Sequence, residues 1–384
     1  MFILYFPGDS LKKLKVAIVG CGRLGQQYAT AYSNYPDTEL IAITEHNSER
    51  LKAVGNRFGT NNLYSNIESM LKDIVPDIAA VVTPTKWMKE SVIKCSNAGV
   101  KGISTDKPMA AKLSDADEMI EVCKANGTIF AGGNLAVAHN HVQETARWIK
   151  EGKFGQIIGG VVNCMADDLT GGGVQWISAL RLLMDSEIDQ IIAWGKPKSY
   201  VFNSSSVMHS NGIFTMVNGI QVPFFQDNII NVYKEKYRKD KSTLNRTKMG
   251  LDIWSNDSLI RWFWEDIDIY KGFDNLGRRK PYIPKYKDWQ WKEFNYLTGS
   301  TRSLINAVRT GSKLAISGHD LRQAIEVAIG IKLSAQMGNV PIKLPLNDRS
   351  QSLMPAQARW VGGDLSGNPQ TISEASANWK GYYQ

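Results

Sequence analysis

A glycine-rich turn between a strand and a helix places the strongest constraint on this chain. Residues 15–25 have the sequence Lys-Val-Ala-Ile-Val-Gly-Cys-Gly-Arg-Leu-Gly. The apolar run at 16–19 is typical of a strand buried on both faces of a parallel sheet. Gly20, Gly22 and Gly25 then form G-x-G-x-x-G. The first glycine allows a tight turn, the second lets the backbone approach a pyrophosphate, and the third lets the following helix pack on the strand.

The residues around this turn indicate which ligand it binds. Arg23 and Leu24 begin the helix, where free N–H groups and the positive end of the helix dipole point at a phosphate. A second strand at 39–44 ends at Glu45, about 20 positions beyond the last glycine, where a carboxylate accepts hydrogen bonds from ribose hydroxyls. That carboxylate would repel the extra phosphate of NADP, so we expect NAD, with NADP less favoured; Arg23 and Arg50 leave room for both. A glycine turn without a ligand is the alternative, which the matching acidic residue disfavours.

Strands and helices alternate through about Gly133, which predicts a parallel, doubly wound sheet of the Rossmann type. Ligands of such sheets bind at the carboxyl ends of the strands. Loops that follow two predicted strands contribute four further candidates there, Thr83, Pro84, Asp106 and Lys107. After them, a helix is predicted over 114–126, with Ser114 as its N-cap and Asp117 in the capping-box position.

From Asn140 onward the pattern changes to a few helices among many strands. Strands are predicted at 157–165, 190–194, 199–202, 213–217, 220–225, 248–254 and 259–264, and helices at 141–151, 176–184, 298–310 and 321–337. Short turns such as Asn218-Gly219 indicate antiparallel hairpins. We therefore predict a cofactor domain at 1–138, an α+β domain with a mainly antiparallel open sheet at 139–345, and an irregular C-terminal arm at 346–384.

Composition and charge exclude several other classes of protein. The 384 residues are 43% hydrophobic and 21% charged, as in ordinary globular proteins, and no stretch is long enough to span a membrane. We expect a cytoplasmic protein without a membrane partner. The four cysteines (Cys21, Cys95, Cys123, Cys164) have no metal-ligand spacing, so buried thiols and no metal are expected. The net charge of +8 raises nucleic acid as a partner, but no nucleic-acid motif accompanies the basic stretches at 234–248 and 278–287. A solvated basic face, or a bias toward anionic substrates, is preferred.

Four motifs give the chain a family resemblance. They are V-A-I-V-G-C-G-R-L-G, T-D-K-P in place of the usual E-K-P, E-G-K-F-G-Q-I, and S-G-H-D-L-R-Q-A-I-E-V-A. In their order, over roughly residues 14–345, the chain resembles the Gfo/Idh/MocA oxidoreductases, which include glucose-fructose oxidoreductase and inositol dehydrogenase. The resemblance implies an NAD(P)-dependent dehydrogenase or reductase of sugars, polyols or related carbohydrates. It also implies a homo-oligomer, a dimer or tetramer, because the C-terminal sheet is often used for oligomerisation.

Lys107 matches the family lysine that contacts substrate and nicotinamide. An ammonium in a closing cleft can polarise a carbonyl or share the proton of a carbinol, and burial can lower its pKa. The alternative is a surface lysine fixed by the turn before Pro108. The resemblance favours the catalytic interpretation.

One stretch departs from the family pattern. Family members commonly carry G-x-H-x-x-D, with histidine as acid/base. Here Gln175 stands in for that histidine and Ser178 for the aspartate. Glutamine can orient a hydroxyl but cannot take its proton near neutrality. Either Lys107 handles the proton, or another histidine has moved into the site.

Other polar residues near the expected cleft are candidates for the missing role. His139 is preferred over His141 because it occupies a polar position of the family's R-F-x-P segment, whose arginine is absent here. Asp167 or Asp168, just before the glycine run at 171–173, could accept a proton or bind sugar hydroxyls. A lone histidine is more often structural than catalytic.

Aromatic residues are dense between Trp254 and Tyr296. Such rings stack on sugars and, beside basic residues, on nucleobases. At alternate positions such as Trp262 and Trp264, a sheet face packed on helices or on another subunit is the preferred interpretation.

The sequence as a whole predicts a cytoplasmic NAD-dependent oxidoreductase. It would act on a secondary hydroxyl or ketone of a sugar, polyol or glycoside, with Lys107, Gln175 and His139 as catalytic candidates and Lys107, Asp168, Gln175 and Ser178 as substrate contacts. The competing hypothesis is a relative that keeps the nucleotide fold, has lost catalysis and serves as a sensor or regulator. A nucleic-acid-binding protein ranks third.

Overall fold

Two β-sheets organise the chain. The computed structural model describes residues 12–133, 135–163, 165–226, 250–263, 266–286 and 296–355. Several sequence predictions lie outside these residues, namely the basic stretch at 234–248, Cys164, Trp264, Trp289, Trp291, Phe294 and the arm beyond residue 355. Within the described residues, no helix is both long and apolar enough to cross a membrane.

The first sheet is parallel throughout. Its strands are β1 (Leu14–Val19), β2 (Thr38–Thr44), β3 (Leu63–Tyr64), β4 (Ile78–Val81), β5 (Gly102–Thr105) and β6 (Ile129–Ala131). The helices between them are α1 (Arg23–Asn34), α2 (Ser48–Phe58), α3 (Ile67–Asp73), α4 (Thr85–Asn97) and α5 (Leu113–Ala125). The strand order β3-β2-β1-β4-β5-β6 confirms the predicted Rossmann sheet. Every residue of β4 and β5 is buried because helices cover both faces.

In the described part of the chain, nine strands form the second sheet, which is mainly antiparallel, as predicted. Its strands are β7 (Gly159–Val162), β8 (Ile188–Lys196), β9 (His209–Met216), β10 (Gln221–Phe224), β11 (Leu251–Trp254), β12 (Ser258–Phe263), β13 (Asp266–Phe273), β14 (Arg279–Tyr282) and β15 (Ile342–Lys343). They lie in the order β14-β13-β12-β11-β7-β10-β9-β8-β15, and β7 pairs with β10 in parallel. The predicted hairpin at Asn218-Gly219 joins β9 to β10.

Five further helices are present among the described residues. They are α6 (Asn140–Lys150), α7 (Val174–Met184), α8 (Lys198–Val201), α9 (Tyr296–Thr310) and α10 (Gly318–Gln336). Leu304 and Ile305 of α9 join the apolar cluster that contains Val16 and Ile18 of β1. Although α9 follows the second sheet in sequence, it therefore packs on the first. The domain boundaries at 138 and 345 stay predictions.

Two local predictions were wrong. Residues 199–202 do not form a strand: Pro197 precedes the short helix α8, and the Lys332 ammonium of α10 donates to the Ser205 carbonyl just beyond it at 2.8 Å. The tertiary contact with α10 thus overrides the strand propensity.

The helix predicted to begin at Ser114 is the second case. Helix α5 begins at Leu113, with Lys112 as its N-cap and without a side-chain cap. The N–H groups of Leu113 and Ser114 donate to carbonyls of the C-terminal segment at 3.0 and 2.9 Å, so these first-turn donors need no capping side chain. Asp117 accepts from Arg322 and Arg349 instead of closing a capping box.

Candidate active site

The glycine turn lies at the carboxyl end of β1, between β2 and β4. The Gly20 N–H donates to the Thr44 carbonyl at 2.8 Å, and Gly20 has φ +92°. A Cβ atom there would lie 2.8 Å from the Val82 carbonyl oxygen. Glycine is therefore required at this position both by its left-handed backbone and by the close approach of the neighbouring strand.

The other two glycines have different surroundings near the start of α1. A Cβ on Gly25 would lie 1.9 Å from the Gly20 carbonyl oxygen, whereas a Cβ on Gly22 would meet nothing within 4 Å. The space beside Gly22 is thus open where a pyrophosphate would approach. Arg23 and Leu24 are half-buried at the start of α1, whose first turn carries no acidic residue. This arrangement fits a dinucleotide.

Glu45 lies beside this turn and is 5% exposed. Its Oε2 accepts from the Cys21 N–H at 2.9 Å, and its Oε1 accepts from the Asn47 N–H at 3.0 Å. The Arg50 Nη1 lies 3.5 Å from Oε2, and the His46 Nδ1 lies 3.0 Å from Oε1. The carboxylate is therefore fixed against the glycine turn, at the position predicted for a ribose contact.

Two buried polar atoms at the ends of β4 and β5 have no hydrogen-bond partner among the described residues. They are Thr83 Oγ1 and Asp106 Oδ1. Pro84 follows Thr83 at the N-cap of α4, and Lys107 is half-buried directly after Asp106. Orphaned polar atoms at the ligand edge of a Rossmann sheet fit a site built for a polar cofactor.

Gln175 holds the backbone of a neighbouring turn. It is 1% exposed, and its Oε1 accepts from the Ala136 N–H at 2.7 Å. This bond connects α7 to the 3₁₀ turn Ala136–Ala138 that follows β6. The side-chain carbonyl of Gln175 thus has a structural role, and its catalytic role stays a prediction.

Ser178 lies one turn further along α7 and lines a different cavity. Its Oγ is buried without a hydrogen-bond partner in the described part of the chain. The cavity, about 1270 Å³, is bordered by α6, α7 and α9, and its charged groups include Arg181 and Asp37. Lys107 and the predicted cofactor residues do not line it. The structure therefore does not bring Ser178 and Lys107 together in this cavity.

Asp168 caps the turn before α7. Its Oδ1 accepts from the N–H and the hydroxyl of Thr170 at 3.2 and 3.1 Å, from the Gly171 N–H at 3.0 Å, and from the Ser206 hydroxyl at 2.7 Å. This oxygen is saturated by the protein itself. A substrate contact by Asp168 stays a prediction.

His139 and His141 lie together before and within α6. Their ring centroids are 5.1 Å apart, and the His141 ring lies 5.9 Å from that of Tyr286. Burial, and secondarily the proximity of His141, lowers the pKa of His139 to about 4. His139 is therefore neutral at pH 7 and a weak base.

Sequence reasoning missed two features of the ligand edge. Arg50 was noted only as a nearby cation, but it is 4% exposed and contacts Glu45. Asn47, whose side chain accepts from the Arg50 N–H at 2.9 Å, is a recognisable N-cap for α2 that could have located Arg50. Trp87, near the start of α4, is 42% exposed, and its ring lies 6.4 Å from the His46 ring. No local pattern could have indicated this contact, because His46 lies in the loop after β2, far from Trp87 in sequence.

The described residues contain no group of histidine, cysteine and acidic side chains that could hold a metal ion.

Residues 14–133 match the family model GFO_IDH_MocA, described as "Oxidoreductase family, NAD-binding Rossmann fold". The N-terminal part of the chain, which contains the first sheet, thus matches the Gfo/Idh/MocA oxidoreductase family. The predicted resemblance is thereby confirmed, and a nicotinamide cofactor is the ligand of its Rossmann domain.

Relatives of known activity align with this chain to different extents. D-apiose dehydrogenase from Paraburkholderia graminis is 30% identical over 151 residues, which cover 38% of this chain and 39% of that protein. The chain thus matches about two fifths of this relative's length. Myo-inositol 2-dehydrogenase from Thermotoga maritima is 21% identical over 349 residues, 84% of this chain and 96% of that protein.

Solved structures share the fold across both sheets. Levoglucosan dehydrogenase, in complex with NADH and levoglucosan, has a TM-score of 0.70 at 16% identity, and the likeness covers 87% of this chain and 100% of that chain. Aldose-aldose oxidoreductase from Caulobacter crescentus has a TM-score of 0.67 at 17% identity, with coverage of 87% and 100%. At such identities the likeness establishes the fold.

Proposed function

We propose that this protein is an NAD-dependent oxidoreductase that transfers hydride between nicotinamide and a secondary hydroxyl or ketone of a sugar, polyol or glycoside. The observation that carries the proposal is the ligand edge of the first sheet. There the open space beside Gly22, the fixed carboxylate of Glu45 and the orphaned Asp106 Oδ1 lie at the carboxyl ends of β1, β2 and β5 of one sheet. Lys107 directly follows Asp106. The relatives D-apiose dehydrogenase and myo-inositol 2-dehydrogenase support a sugar or polyol as the substrate.

Each residue of this edge has a role that its chemistry supports. The N–H groups at the start of α1 bind the pyrophosphate, and Glu45 accepts from the ribose hydroxyls and disfavours the extra phosphate of NADP. The nicotinamide ring, when bound, accepts or donates the hydride. Thr83 and Asp106 offer the buried oxygens that the bound cofactor would satisfy.

Lys107 handles the proton in this proposal. As an ammonium, it would hydrogen-bond the reacting oxygen of a ketone and donate a proton to that oxygen as hydride attacks the carbon. In the reverse direction, the neutral amine would accept the proton of the carbinol as hydride leaves for the nicotinamide. The other candidates are less suited. The Gln175 carbonyl is engaged by Ala136, and the lowered pKa of His139 makes it a weak base.

Substitution of Lys107 tests the mechanism. We expect Lys107→Ala to reduce turnover of the best substrate by about 100-fold to 10,000-fold while NADH affinity changes little, because the ammonium acts on the substrate oxygen. Substrates would be screened by NADH formation from a panel including D-apiose, myo-inositol, levoglucosan and glucosides. Lys101→Ala is the matched control, since Lys101 precedes β5 at the opposite end of the same strand and pairs with Asp77 at the surface. A loss below about tenfold for Lys107→Ala would remove Lys107 from the mechanism.

A nucleotide-binding sensor is the second candidate function. It is favoured by the contacts of Gln175 and Asp168, because both side chains serve local structure where a proton acceptor or substrate contact was expected. A sensor would bind NADH without turning over any of the panel. Gain of activity in the double variant Gln175→His/Ser178→Asp, from an inert wild type, would support this candidate over the enzyme.

A homo-oligomeric, cytoplasmic form belongs to the same proposal. Trp194 at the end of β8 and Phe225 after β10 are both 47% exposed on the second sheet, which supports burial against another copy. Size-exclusion chromatography with light scattering measures this directly, and a monomer at micromolar concentration would contradict it.

A further inference from the structure

We infer that the cavity bordered by α6, α7 and α9 is a second binding site, which takes a small neutral molecule rich in hydroxyl groups, such as a polyol or a sugar. The site, here called the α9 cavity, is separate from the cofactor site at the ligand edge of the first sheet. Binding in this cavity requires neither the cofactor nor Lys107, so it does not depend on the proposed activity.

The α9 cavity extends to the edge of the first sheet that is opposite the ligand edge. Its lining includes Asp37, which directly precedes β2, whereas Glu45 directly follows that strand. The two residues are thus separated by the length of β2, roughly 25 Å at the usual rise of a strand. A ligand at this end of the cavity would therefore lie far from the cofactor.

Contacts within the protein hold the wall of the α9 cavity in place. The side-chain amide of Gln143 in α6 donates to the Val137 carbonyl at 2.7 Å and to the Ala315 carbonyl at 3.1 Å. Helix α9 approaches the same turn closely, because a Cβ atom on Gly299 would lie 2.0 Å from the Ala138 carbonyl oxygen. The cavity is therefore preformed, and its volume of about 1270 Å³ accommodates a monosaccharide or a disaccharide.

The charges around the cavity are balanced and largely paired. Its described lining contains four cationic and four acidic side chains. Arg302 donates to both oxygens of Asp37 at 2.8 and 2.6 Å, and Arg181 donates to both oxygens of Glu187 at 2.6 Å. Although burial raises them, hydrogen bonds from these arginines hold the pKa values of Asp37 and Glu187 below their ordinary range. A charged ligand would have to compete with these ion pairs, whereas a neutral one would not.

Two residues of the lining have buried polar atoms without a hydrogen-bond partner in the described part of the chain. The atoms are Ser178 Oγ and Arg309 Nε, although the latter lies at ion-pair distance, 3.5 Å, from Asp37. Ser178 is only 5% exposed. A hydroxyl group both donates and accepts, whereas the Arg309 nitrogen only donates. Buried polar atoms of this kind in a cavity wall indicate a ligand that forms hydrogen bonds.

The class of ligand follows from these features together. Ligand hydroxyl groups would accept from Arg309 Nε, exchange hydrogen bonds with Ser178, and donate to Gln143 Oε1, since the Gln143 amide nitrogen is used within the protein. Leu182 and Ile316 also line the cavity and offer apolar surface to a carbon skeleton. A neutral polyol or sugar combines these properties, with hydroxyl groups for the polar atoms and C–H groups for the apolar ones.

The experiment measures dissociation constants by calorimetry or ligand-observed NMR, on the full chain without cofactor. The neutral probes are glucose, myo-inositol and levoglucosan, and the charged analogues of glucose are glucuronate and glucosamine. At least one neutral probe should bind wild type, and it should bind at least about threefold more tightly than the charged analogues. Ser178→Ala should weaken that binding about threefold to tenfold, because it removes one hydrogen bond.

Ser210→Ala is the matched control for Ser178→Ala. It also deletes a buried hydroxyl that has no hydrogen-bond partner among the described residues, but Ser210 lies in β9 and does not line the cavity. This variant should bind the neutral probe as wild type does. Arg309→Lys, which keeps a positive charge beside Asp37 but lacks Nε, is a second variant, and it should weaken binding as Ser178→Ala does.

Stability separates a ligand contact of Ser178 from a structural role. Because its hydroxyl bonds no described residue, Ser178→Ala should leave the midpoint of urea unfolding unchanged or raised in the absence of ligand. A lowered midpoint together with weaker binding would assign the hydroxyl to the packing of α7 and contradict the site.

Lys107→Ala shows where the probe binds. Binding in the α9 cavity should survive this substitution. If Lys107→Ala weakens the same binding event, with or without an effect of Ser178→Ala, the probe binds at the ligand edge and the second site is wrong. Failure of every neutral probe to bind wild type, or equal affinity of Ser178→Ala and wild type, would overturn the inference as well. A protein that binds a neutral probe in this cavity but neither binds NADH nor oxidises any sugar would contradict the proposed function alone.

Discussion

The surroundings of His139 move its pKa away from the ordinary value of a histidine. Burial, with His141 nearby, lowers its pKa from 6.5 to about 4. Between these values the unfolded chain holds the extra proton and the folded protein does not. The contribution of this group therefore makes the free energy of unfolding fall as the pH decreases through that window.

Substitution of His139 should reduce this pH dependence. We expect His139→Asn to lose less stability than wild type on going from pH 7 to about pH 4.5, because the asparagine has no proton to gain on unfolding. Urea unfolding at several pH values measures the difference between the two proteins. His319→Asn, at an exposed position of α10, is the control. A pH profile of His139→Asn parallel to that of wild type would contradict the lowered pKa.

Asp168 stabilises the turn Leu169–Gly173 that leads into α7. Since its Oδ1 accepts from Thr170, Gly171 and Ser206, Asp168→Ala should cost about 1–3 kcal/mol of unfolding free energy. Denaturant unfolding measures this, and Asp167→Ala, at the exposed neighbouring position, is the control. An unchanged stability together with a raised KM for sugar would contradict the capping role and favour the substrate contact predicted from sequence.

Secondary-structure elements that depend on local sequence patterns could be predicted, and those that depend on distant contacts could not. The bounds of α2 and β5 follow from local patterns, and the glycine turn could be located because its requirements lie within eleven residues of chain. Residues 199–202 were wrongly predicted as a strand. In the structure Lys332, from the distant helix α10, donates to the carbonyls of Tyr200 and Ser205, a contact that no local pattern indicates. Strands β13 and β14 were not assigned from the sequence, although the aromatic residues between Trp254 and Tyr296 were interpreted as a packed sheet face.

The residues of the candidate site show the same difference between local patterns and distant contacts. The glycines and Glu45 could be predicted because a strand, a turn and an acidic residue at a fixed spacing imply their positions. The partner of Gln175 could not, since Ala136 lies 39 residues away and meets it only after α7 packs on the turn beyond β6. The cavity beside Ser178 depends on α9, which returns to the first sheet from far along the chain.

At the scale of the whole molecule, residues 346–355 connect distant parts of the chain. In this segment, here called the C-terminal strap, the Leu353 N–H donates to the Ala111 carbonyl at 2.9 Å. The Ser206 N–H donates to the Met354 carbonyl at 2.7 Å. The strap thus joins the start of α5, shortly after Lys107, to the residue that bonds Asp168. An arm predicted as irregular is therefore part of the packed structure over its described length.

Arg349 anchors the strap through two acidic residues. Its guanidinium donates to both oxygens of Asp117 at 2.7 and 2.8 Å and to the Glu326 carboxylate, whose side chain is 2% exposed. Burial raises the pKa of Glu326, and the neighbouring Arg322 acts in the opposite direction. Arg322 donates to both carboxylates as well, so part of this compensation would survive the loss of Arg349.

Arg349→Ala should therefore lower the free energy of unfolding by about 1–3 kcal/mol, because it removes charge-assisted hydrogen bonds from a buried carboxylate. Equilibrium unfolding in urea measures the change. Lys343→Ala is the control, since the side chain of Lys343 is 67% exposed beside Asp189 and a surface pair of this kind contributes at most about 1 kcal/mol. Adding Glu326→Gln should restore part of the stability lost in Arg349→Ala, because the neutral amide no longer requires a cation. Equal stability of Arg349→Ala and wild type, or no recovery in the double variant, would contradict the anchoring of the strap by this network.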